Sequence, residues 1–184
     1  MCGRYLFEDI TTDALLKAAK KKYDEETLNQ IAVSEVYPSC KAFVSFQDPK
    51  DHKLKSTVMY WGYDLNGKAV INARSETALS SNYFSKSLPC AVPAGGYYEW
   101  NEKKERYLFR CETVPFYFGG LCIYDEKIQM YRYVILTEEA KGDCALIHHR
   151  QPVIFSRENA KKWSSTGNPI LFNESEKIRT FVKA

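Results

Sequence analysis

The sequence predicts a single α+β domain that is dominated by antiparallel strands and barrel-like in architecture. Two observations support this prediction: many short β-type segments are separated by Gly, Asn, Asp and Pro, and helical patterns occur only near the two ends. The length of 184 residues suits one domain, and neither a repeat nor a low-complexity linker divides the chain. We therefore expect one domain over residues 1–184.

The elements follow in order along the chain. "RYLF" is typical of a short strand, and "TTDALLKAAKKKY" has a helical pattern with Thr11 or Thr12 as N-cap, Asp13 in the first turn and lysines in the last. The β-type segments after it are "AFVSF", "KSTVMYWGY", "KAVIN", "PCAVPAGGYYEW", "RYLFRC", "PFYFGGLCIY", "QMYRYVILT" and "QPVIF". Near the end, "SRENAKKWSS" predicts a short capped helix.

The composition narrows the class of protein. Hydrophobic residues make up 45% and charged residues 27%, as in an ordinary globular protein, and the net charge of +3 permits a polyanionic partner without requiring one. No apolar run reaches the roughly 20 residues that span a bilayer, and the start lacks a signal-peptide pattern, so we expect a cytoplasmic protein. Six cysteines without a CxxC pair, beside three histidines, indicate neither a zinc site nor a disulfide framework.

The cysteine at the second position, in "MCGRY", is the first candidate for chemistry. A small residue there allows the initiator methionine to be removed, which leaves Cys2 with a free amine and a thiol on neighbouring carbons. The other five cysteines are expected to be buried small hydrophobic residues.

The segment "GGYYEW" supplies a candidate carboxylate. Strand alternation puts Tyr97, Glu99 and Asn101 on one face and Tyr98 and Trp100 on the other. Glu99 is then a carboxylate in aromatic company, although an isolated acid on a strand more often faces solvent or pairs with an arginine. The glycines that precede the segment, at 95–96, indicate a close approach to the backbone.

Two further segments contain candidate polar residues. In "IHHRQPVIF", strand alternation places His148 and Arg150 on one face. The imidazole could transfer a proton while the arginine binds a phosphate, or the two could be a partly exposed pair with no functional role. In "INARSET", Asn72 sits at a strand end, either reaching a site or capping a turn that begins at Ala73. Arg74 would project from a first helical turn, where anions bind well.

Seven segments occur in an order and spacing that resemble one family. "MCGRY", "YPS", "WG", "NARSET", "PCAVPAGGYYEW", "LTEEA" and "HHRQPVIF" are similar to the SRAP family, named for SOS-response-associated peptidases, from Cys2 to about Trp163. The resemblance implies a barrel-like fold and a sensor of abasic sites in single-stranded DNA. It also implies covalent coupling to the lesion and autocatalytic removal of the residues before the cysteine.

The resemblance also implies roles for particular residues. Cys2 would be the crosslinking nucleophile, with Asn72, Glu99 and His148 as its active-site partners. The residues that it places on the DNA are Arg4, Arg74 and Arg150 at the backbone, with Pro38, Trp61, Ser75 and Thr137 near the strand. We expect no cofactor, metal or membrane partner, and a monomer that is nucleoid-associated when bound to DNA.

The chemistry explains the position of the cysteine. An abasic sugar opens to an aldehyde, the terminal amine forms an imine with it, and the thiol then closes a five-membered thiazolidine ring. Acid and base catalysis by Glu99 and His148 would run this reaction, and its reverse would release the DNA.

The sequence departs from the family pattern at three places. Gln151 stands where methionine usually follows the arginine, Gly95 replaces an alanine or aspartate, and "WGYDLNG" lacks the usual "WGLIP" continuation. The last departure removes the apolar wedge expected beside the lesion, and Tyr63 could stack on a base in its place.

Two other classes of function stay open at this point. "MCG" also begins glutamine amidotransferases of the N-terminal-nucleophile type, in which the cysteine attacks an amide. A non-catalytic module could bind single-stranded nucleic acid on Tyr and Trp platforms, and Cys2 would then be dispensable.

Overall fold

The computed structural model describes residues 2–8, 12–111, 114–174 and 180–184. Its strands are β1 (Tyr5–Leu6), β2 (Glu35–Val36), β3 (Lys41–Gln47), β4 (Leu54–Trp61), β5 (Tyr63–Leu65), β6 (Lys68–Val70), β7 (Asn72–Arg74), β8 (Leu88–Ala94), β9 (Gly96–Trp100), β10 (Arg106–Arg110), β11 (Phe116–Asp125), β12 (Met130–Glu139), β13 (Arg150–Pro152), β14 (Ile154–Phe155) and β15 (Thr180–Lys183). Its α-helices are α1 (Thr12–Ala19), α2 (Glu25–Asn29), α3 (Ser75–Ala78) and α4 (Arg157–Thr166), and 3-10 helices span Asn82–Phe84, Gly142–Leu146 and Pro169–Glu174. Within these ranges, the helices lack the length and apolar character needed to cross a bilayer.

Five strands close into a barrel. β12 pairs with β4, β4 with β3, β3 with β8, β8 with β11, and β11 pairs again with β12. The predicted barrel-like α+β architecture is confirmed. Most pairs are antiparallel, as predicted, but β12 runs parallel to β4 and to β7, and this differs from the prediction of antiparallel strands. Parallel neighbours require a long connection, and here strands β5 to β11 lie between β4 and β12 in the chain.

A second sheet lies beside the barrel, in the order β15-β10-β9-β1-β2. The segment "PCAVPAGGYYEW", which the sequence predicts as one β-type segment, forms two strands: β8 in the barrel and β9 in the second sheet. The close approach predicted from the glycines is confirmed, since a Cβ on Gly96 would lie 3.0 Å from the Phe109 carbonyl oxygen. Strands β2 and β15 were missed because each is short and takes its place through pairing with a neighbour.

The barrel interior is aromatic. The Trp61 ring stacks on Tyr133 at 6.1 Å between centroids and meets Tyr5 edge-on at 5.3 Å. The hydroxyls of Tyr5 and Tyr133 lie 2.9 Å apart, so each buried phenol has a partner. Outside the barrel, α4 covers a second apolar cluster, and the Trp163 indole N–H donates to the Cys90 carbonyl at 3.0 Å.

Both predicted helices are present. α4 begins after Ser156, whose hydroxyl accepts a hydrogen bond from the Asn159 N–H at 3.2 Å, and ends at Gly167 with a φ of 61°. Thr12 is the first residue of α1, while the alternative cap Thr11 lies outside the described residues. α2 was not predicted, because it is only five residues long.

Strand β12 determines how the site is assembled. At residues 131–133, β12 pairs with β11 on one edge and with β4 on the other. At Thr137 it pairs with β13 and with β7, so β12 is hydrogen-bonded along both edges. Directly after β4, Gly62 has a φ of 122°, and the chain turns there away from its neighbour β12 to form the β5–β6 hairpin. β7 then returns to the edge that β4 left, which brings Asn72 beside the end of β4.

All six cysteines are free. The prediction of buried cysteines is confirmed for Cys90, Cys111, Cys122 and Cys144, whereas Cys40 is half-buried. In the described part of the chain, no group of three or more His, Cys, Asp or Glu side chains could hold a metal ion.

Candidate functional site

Cys2 lies inside the protein, with none of its surface exposed. It precedes β1, and the Tyr98 N–H on β9 donates to the Arg4 carbonyl at 2.9 Å, which extends the sheet towards the cysteine. The Asn72 side-chain amide donates to the Cys2 carbonyl at 2.9 Å. The structure therefore brings together two of the residues that the sequence singled out, 70 positions apart in the chain.

Asn72 reaches the site from a strand. It lies in β7 opposite Ile135 of β12, and α3 begins only after Arg74. The alternative that Asn72 caps a turn from Ala73 is therefore wrong, since Arg74 occupies the N-cap position and makes no side-chain cap. The second polar atom of the amide, Oδ1, is buried and has no hydrogen-bond partner among the described residues.

Glu99 projects into the protein from β9 and is 4% exposed. The predicted alternation of Tyr97 to Trp100 is confirmed. Tyr97, on the same face as Glu99, is 1% exposed. On the other face, the Tyr98 ring lies under the Arg106 guanidinium and the Trp100 ring lies 5.7 Å from that of Arg4. Of the alternatives for this carboxylate, the solvent-facing one is excluded.

The thiol of Cys2 is held in its neutral form. Burial raises its pKa far above the ordinary value, and the negative charge of Glu99 raises it further. The Cys2 thiol contacts the Arg4 carbonyl oxygen at 3.9 Å, a weak interaction typical of sulfur. A proton must therefore leave the thiol before or as it attacks, and Glu99 is the carboxylate whose charge acts on it.

His148 lies in the bend before β13, not in a strand. His148 Nδ1 lies 3.0 Å from the Arg150 backbone nitrogen and 3.2 Å from the Arg150 carbonyl oxygen, so the Arg150 backbone holds the ring through this atom. The ring stacks on His149 at 4.3 Å between centroids, so the predicted alternation that placed His148 with Arg150 on one strand face is wrong. The 3-10 helix Gly142–Leu146 precedes this bend and has no strand periodicity.

Cys144 joins the histidine segment to β9. Its carbonyl accepts from the His148 N–H at 2.9 Å, and its sulfur lies 3.5 Å from the Tyr97 hydroxyl. Burial raises the pKa of Cys144 to about 11, with a contribution from the charge of Glu99. Sequence reasoning missed this residue, because no local pattern distinguishes it from the other buried cysteines.

Arg150 is bound to a carboxylate within the protein. Its guanidinium makes two parallel hydrogen bonds to Glu76, at 2.7 and 2.9 Å, and a third to the Thr137 carbonyl at 2.6 Å. Arg150 lowers the pKa of Glu76 through these bonds. The sequence placed Arg150 at the DNA backbone, but in this conformation Glu76 occupies its hydrogen-bonding edge.

The remaining expected DNA contacts fall into two groups. Arg4, Pro38, Arg74 and Ser75 lie at or near the surface: Arg74 is exposed, Arg4 and Pro38 are half-buried, and Ser75 is 9% exposed at the start of α3. The Arg4 guanidinium lies 4.4 Å over the Tyr37 ring.

Trp61 and Thr137 belong to the interior, at 0% and 1% exposure. The Trp61 indole N–H donates to the Ile71 carbonyl at 2.9 Å, and the Thr137 hydroxyl donates to the Ala73 carbonyl at 3.4 Å. These two side chains support the strands that present the site.

The structure shows the surroundings of the residues at two of the three departures from the family pattern. Tyr63 is 3% exposed and its hydroxyl donates to Ser87 at 3.0 Å, so the expectation that it stacks on a base is wrong. Gln151 is buried between two groups: its amide donates to Glu138 at 2.9 Å and its oxygen accepts from the Lys141 N–H at 3.0 Å. It thereby holds β13 against β12.

An open groove of about 590 Å³ lies beside His148, between the segment 100–103 and the segment 145–149. Leu146 stands at its rim with 75% of its surface exposed. The charge of His148, burial and the charges of Arg150 and Arg74 lower the pKa of His149. The groove combines the Trp100 ring and apolar side chains with one cation, Lys103, and one carboxylate, Glu102. Its aromatic and apolar surface suits the stacking of bases.

Fold and site together define a class: a small β-barrel protein with a buried cysteine at the second position, whose carbonyl accepts a hydrogen bond from an amide and whose thiol is influenced by the charge of a buried carboxylate. The model of the SOS response associated peptidase (SRAP) family matches residues 1–176, and the chain belongs to this family.

Curated relatives and solved structures agree with this assignment. The chain is 25% identical over 180 residues to abasic site processing protein YedK of Escherichia coli (strain K12), covering 89% of this chain and 79% of that protein. It is 26% identical over 190 residues to abasic site processing protein YoaM of Bacillus subtilis (strain 168), with 91% and 81% covered. The fold is similar to that of a phage-related protein from Bordetella bronchiseptica, with a TM-score of 0.75, 20% identity and coverage of 100% and 94%.

Proposed function

We propose that this chain detects abasic sites in single-stranded DNA and crosslinks to them through Cys2 after Met1 is removed. The observation that carries the proposal is the hydrogen bond from Asn72 to the Cys2 carbonyl, beside the buried Glu99. The names of the relatives YedK and YoaM support it. Met1 itself lies outside the described residues.

The reaction needs no co-reactant beyond the opened sugar. The Cys2 amine adds to the aldehyde carbon, and loss of one water gives an imine. The thiol sulfur then bonds to the same carbon, its proton passes to the nitrogen, and a thiazolidine ring results. An α-amino pKa of about 7.7 to 8 leaves a useful neutral fraction at neutral pH.

Three residues around Cys2 have separate roles in the proposed reaction. Asn72 fixes the Cys2 carbonyl, so the amine and thiol on the same residue have a defined position. Glu99 donates and accepts the protons that water loss and ring closure require. His148, held by the Arg150 backbone through Nδ1, assists opening of the sugar ring through Nε2.

Ring closure is favoured because it is intramolecular. Well-oriented reactions of this kind reach effective molarities on the order of 10⁵ M, which compensates for a thiol that burial keeps protonated. The same acid and base groups, acting in reverse, release the DNA.

Four residues that reach or approach the surface are assigned to the strand. Arg4 and Arg74 contact phosphates, and Pro38 and Ser75 flank the path. Arg150 reaches a phosphate only by exchanging Glu76 for it, and otherwise positions β13 and the neighbouring His148. We propose that the active form is a monomer, which size-exclusion chromatography with light scattering tests.

The test is a denaturing gel of the protein mixed with a uracil-containing single strand, before and after uracil excision. We expect a heat-stable band only after excision. Cys2→Ser retains the amine, so borohydride should trap its imine, but no adduct should survive heating without reductant. A band that forms with intact DNA, or persists in Cys2→Ala, would overturn the proposal.

The state of the N-terminus has its own measurement. An acylated amine cannot form an imine, so protein made in cells should have lost the mass of one methionine. Full crosslinking with Met1 quantitatively retained would contradict this chemistry. Removal of Met1 by the chain itself, as the family name suggests, predicts that Cys2→Ala retains Met1 and the wild type loses it when both are synthesised in a system without methionine aminopeptidase.

A further inference from the structure

A small cavity of about 160 Å³ lies between helix α4 and the barrel, and Cys2 is not among the residues that line it. The polar side chains that line it are Ser45, Lys55, Ser56, Arg157, Lys161 and Ser164. It shares no residue with the groove beside His148.

Two of these side chains are cations that have no counter-charge within the described part of the chain. Arg157 and Lys161 are four positions apart on α4, on one face of the helix, and neither forms an ion pair with another described residue. By contrast, Lys162 on the same helix pairs with Glu158 at 2.9 Å. Like charges at this spacing destabilise a helix, and an anion between them would remove the repulsion.

Hydroxyl donors complete the cavity. Ser164 is 2% exposed, and its hydroxyl is buried with no hydrogen-bond partner among the described residues. The hydroxyls of Ser45 and Ser56 lie 2.8 Å apart, and such a pair uses one of its two protons, leaving the other available. A buried polar group without a partner is costly, which suggests that a ligand satisfies Ser164.

Lys55 does not add a further charge to the cavity. Its ammonium group lies 2.8 Å from both Asp48 and Asp51, which neutralise it. The cavity therefore offers a ligand two cations and two hydroxyl protons.

We propose that this cavity binds a phosphate group. A phosphate offers three or four oxygens to the four donors, whereas a carboxylate offers only two. The phosphate belongs either to a small molecule or to a nucleic-acid strand, since both present the same group to the cavity.

The cavity is distinct from the crosslinking site. β4 ends at Trp61, and β7 places Asn72 of the crosslinking site beside that end. Lys55 of the cavity lies six positions earlier, near the start of β4. At about 3.3 Å per residue, the two ends are about 20 Å apart. The inference therefore does not rest on the proposed function, and it holds for Cys2→Ala as well.

The experiment is a titration of the ¹⁵N-labelled protein with inorganic phosphate, followed by amide chemical shifts. We expect the shifts of α4 near Arg157 and Ser164 to saturate. The double variant Arg157→Ala/Lys161→Ala should weaken binding by about a hundredfold, and Ser164→Ala by about tenfold. Lys162→Ala is the matched control, because this lysine does not line the cavity, and it should bind as the wild type does.

A second titration with an undamaged single strand identifies the source. If the strand moves the same α4 amides, the cavity takes a backbone phosphate; if only inorganic phosphate does, it takes a small molecule. The inference is overturned if phosphate leaves the α4 amides unmoved. It is also overturned if the double variant, with its circular dichroism unchanged, binds as tightly as Lys162→Ala.

Discussion

At the scale of single residues, Asn72 is the side chain that holds Cys2 in place. Asn72→Ala should slow crosslinking by about tenfold or more, because the nucleophile loses its defined position. Single-turnover rates on the gel described above measure this effect. Asn82→Ala, at a position outside the site, is the control and should react at the wild-type rate. An equal rate in both variants would mean that the hydrogen bond has no part in the reaction.

The pair of Glu76 and Arg150 predicts a pH dependence of stability. The folded protein lowers the pKa of Glu76, so the pair stabilises the fold above the unfolded value of about 4.3, and this contribution is lost as pH falls through the folded pKa. Glu76→Gln should therefore unfold at lower urea than the wild type at pH 7, and the difference should shrink on acidification. Because Glu76 is half-exposed, solvent screens the pair and we expect a small effect. A difference that stays constant with pH would contradict the assignment.

At the scale of elements, the N-cap of α4 is open to a direct test. Ser156→Ala removes the acceptor for the Asn159 N–H and should cost about 1 kcal/mol in the free energy of unfolding. Ser165→Ala, on the exposed face of the same helix, should change it by much less. Urea unfolding of the two variants gives the comparison, and equal midpoints would show that the cap contributes nothing.

The elements also show how far the sequence determines the fold. The strands that the sequence predicted were recognisable because period-two patterns are local, as in β9, where Tyr97 and Glu99 share a face. The same rule failed at His148, because a 3-10 helix and a bend precede β13. Local patterns carry no information on which strands become parallel neighbours, and so the pairing of β12 with β4 and β7 could not be foreseen.

In the candidate site too, the sequence reveals residues with a local signal but not the contacts between residues far apart in the chain. Cys2, Asn72 and Glu99 were found from local context and family resemblance, and the contact of Asn72 with Cys2 confirms that those two meet. The partnership of Arg150 with Glu76 spans 74 positions, and no spacing rule connects them. The burial of Trp61 likewise depends on barrel closure, which the sequence did not reveal.

At the scale of the whole molecule, the aromatic interior predicts sensitivity to alkali. Burial raises the pKa of Tyr5, Tyr133, Cys2 and Cys90, so the native state keeps protons that the unfolded chain releases. Stability should therefore be complete below the unfolded thiol pKa of about 8.5 and should fall as pH rises above it. Each such group contributes up to about 1.4 kcal/mol per pH unit.

Urea unfolding between about pH 7 and pH 11 measures this loss, since the range brackets the unfolded thiol and phenol pKa values. Tyr133→Phe removes one of the titrating groups, and although it is less stable at pH 7, its stability should fall less steeply with pH. Tyr83→Phe is the control, since Tyr83 is 66% exposed and its variant should follow the wild-type slope. Parallel curves for Tyr133→Phe and the wild type would show that the buried phenols do not govern the alkaline limit.

Because β12 is bonded along both edges, the chain can change in length only at certain places. One residue inserted within β12 would turn every later side chain to the opposite face. It would also change the position of Arg150, which pairs with Glu139, relative to Asn72, which pairs with Ile135. The turn between β11 and β12, at 126–129, carries no such constraint. Insertions and deletions that separate members of this family should accumulate in such turns, while the number of residues in β12 stays fixed.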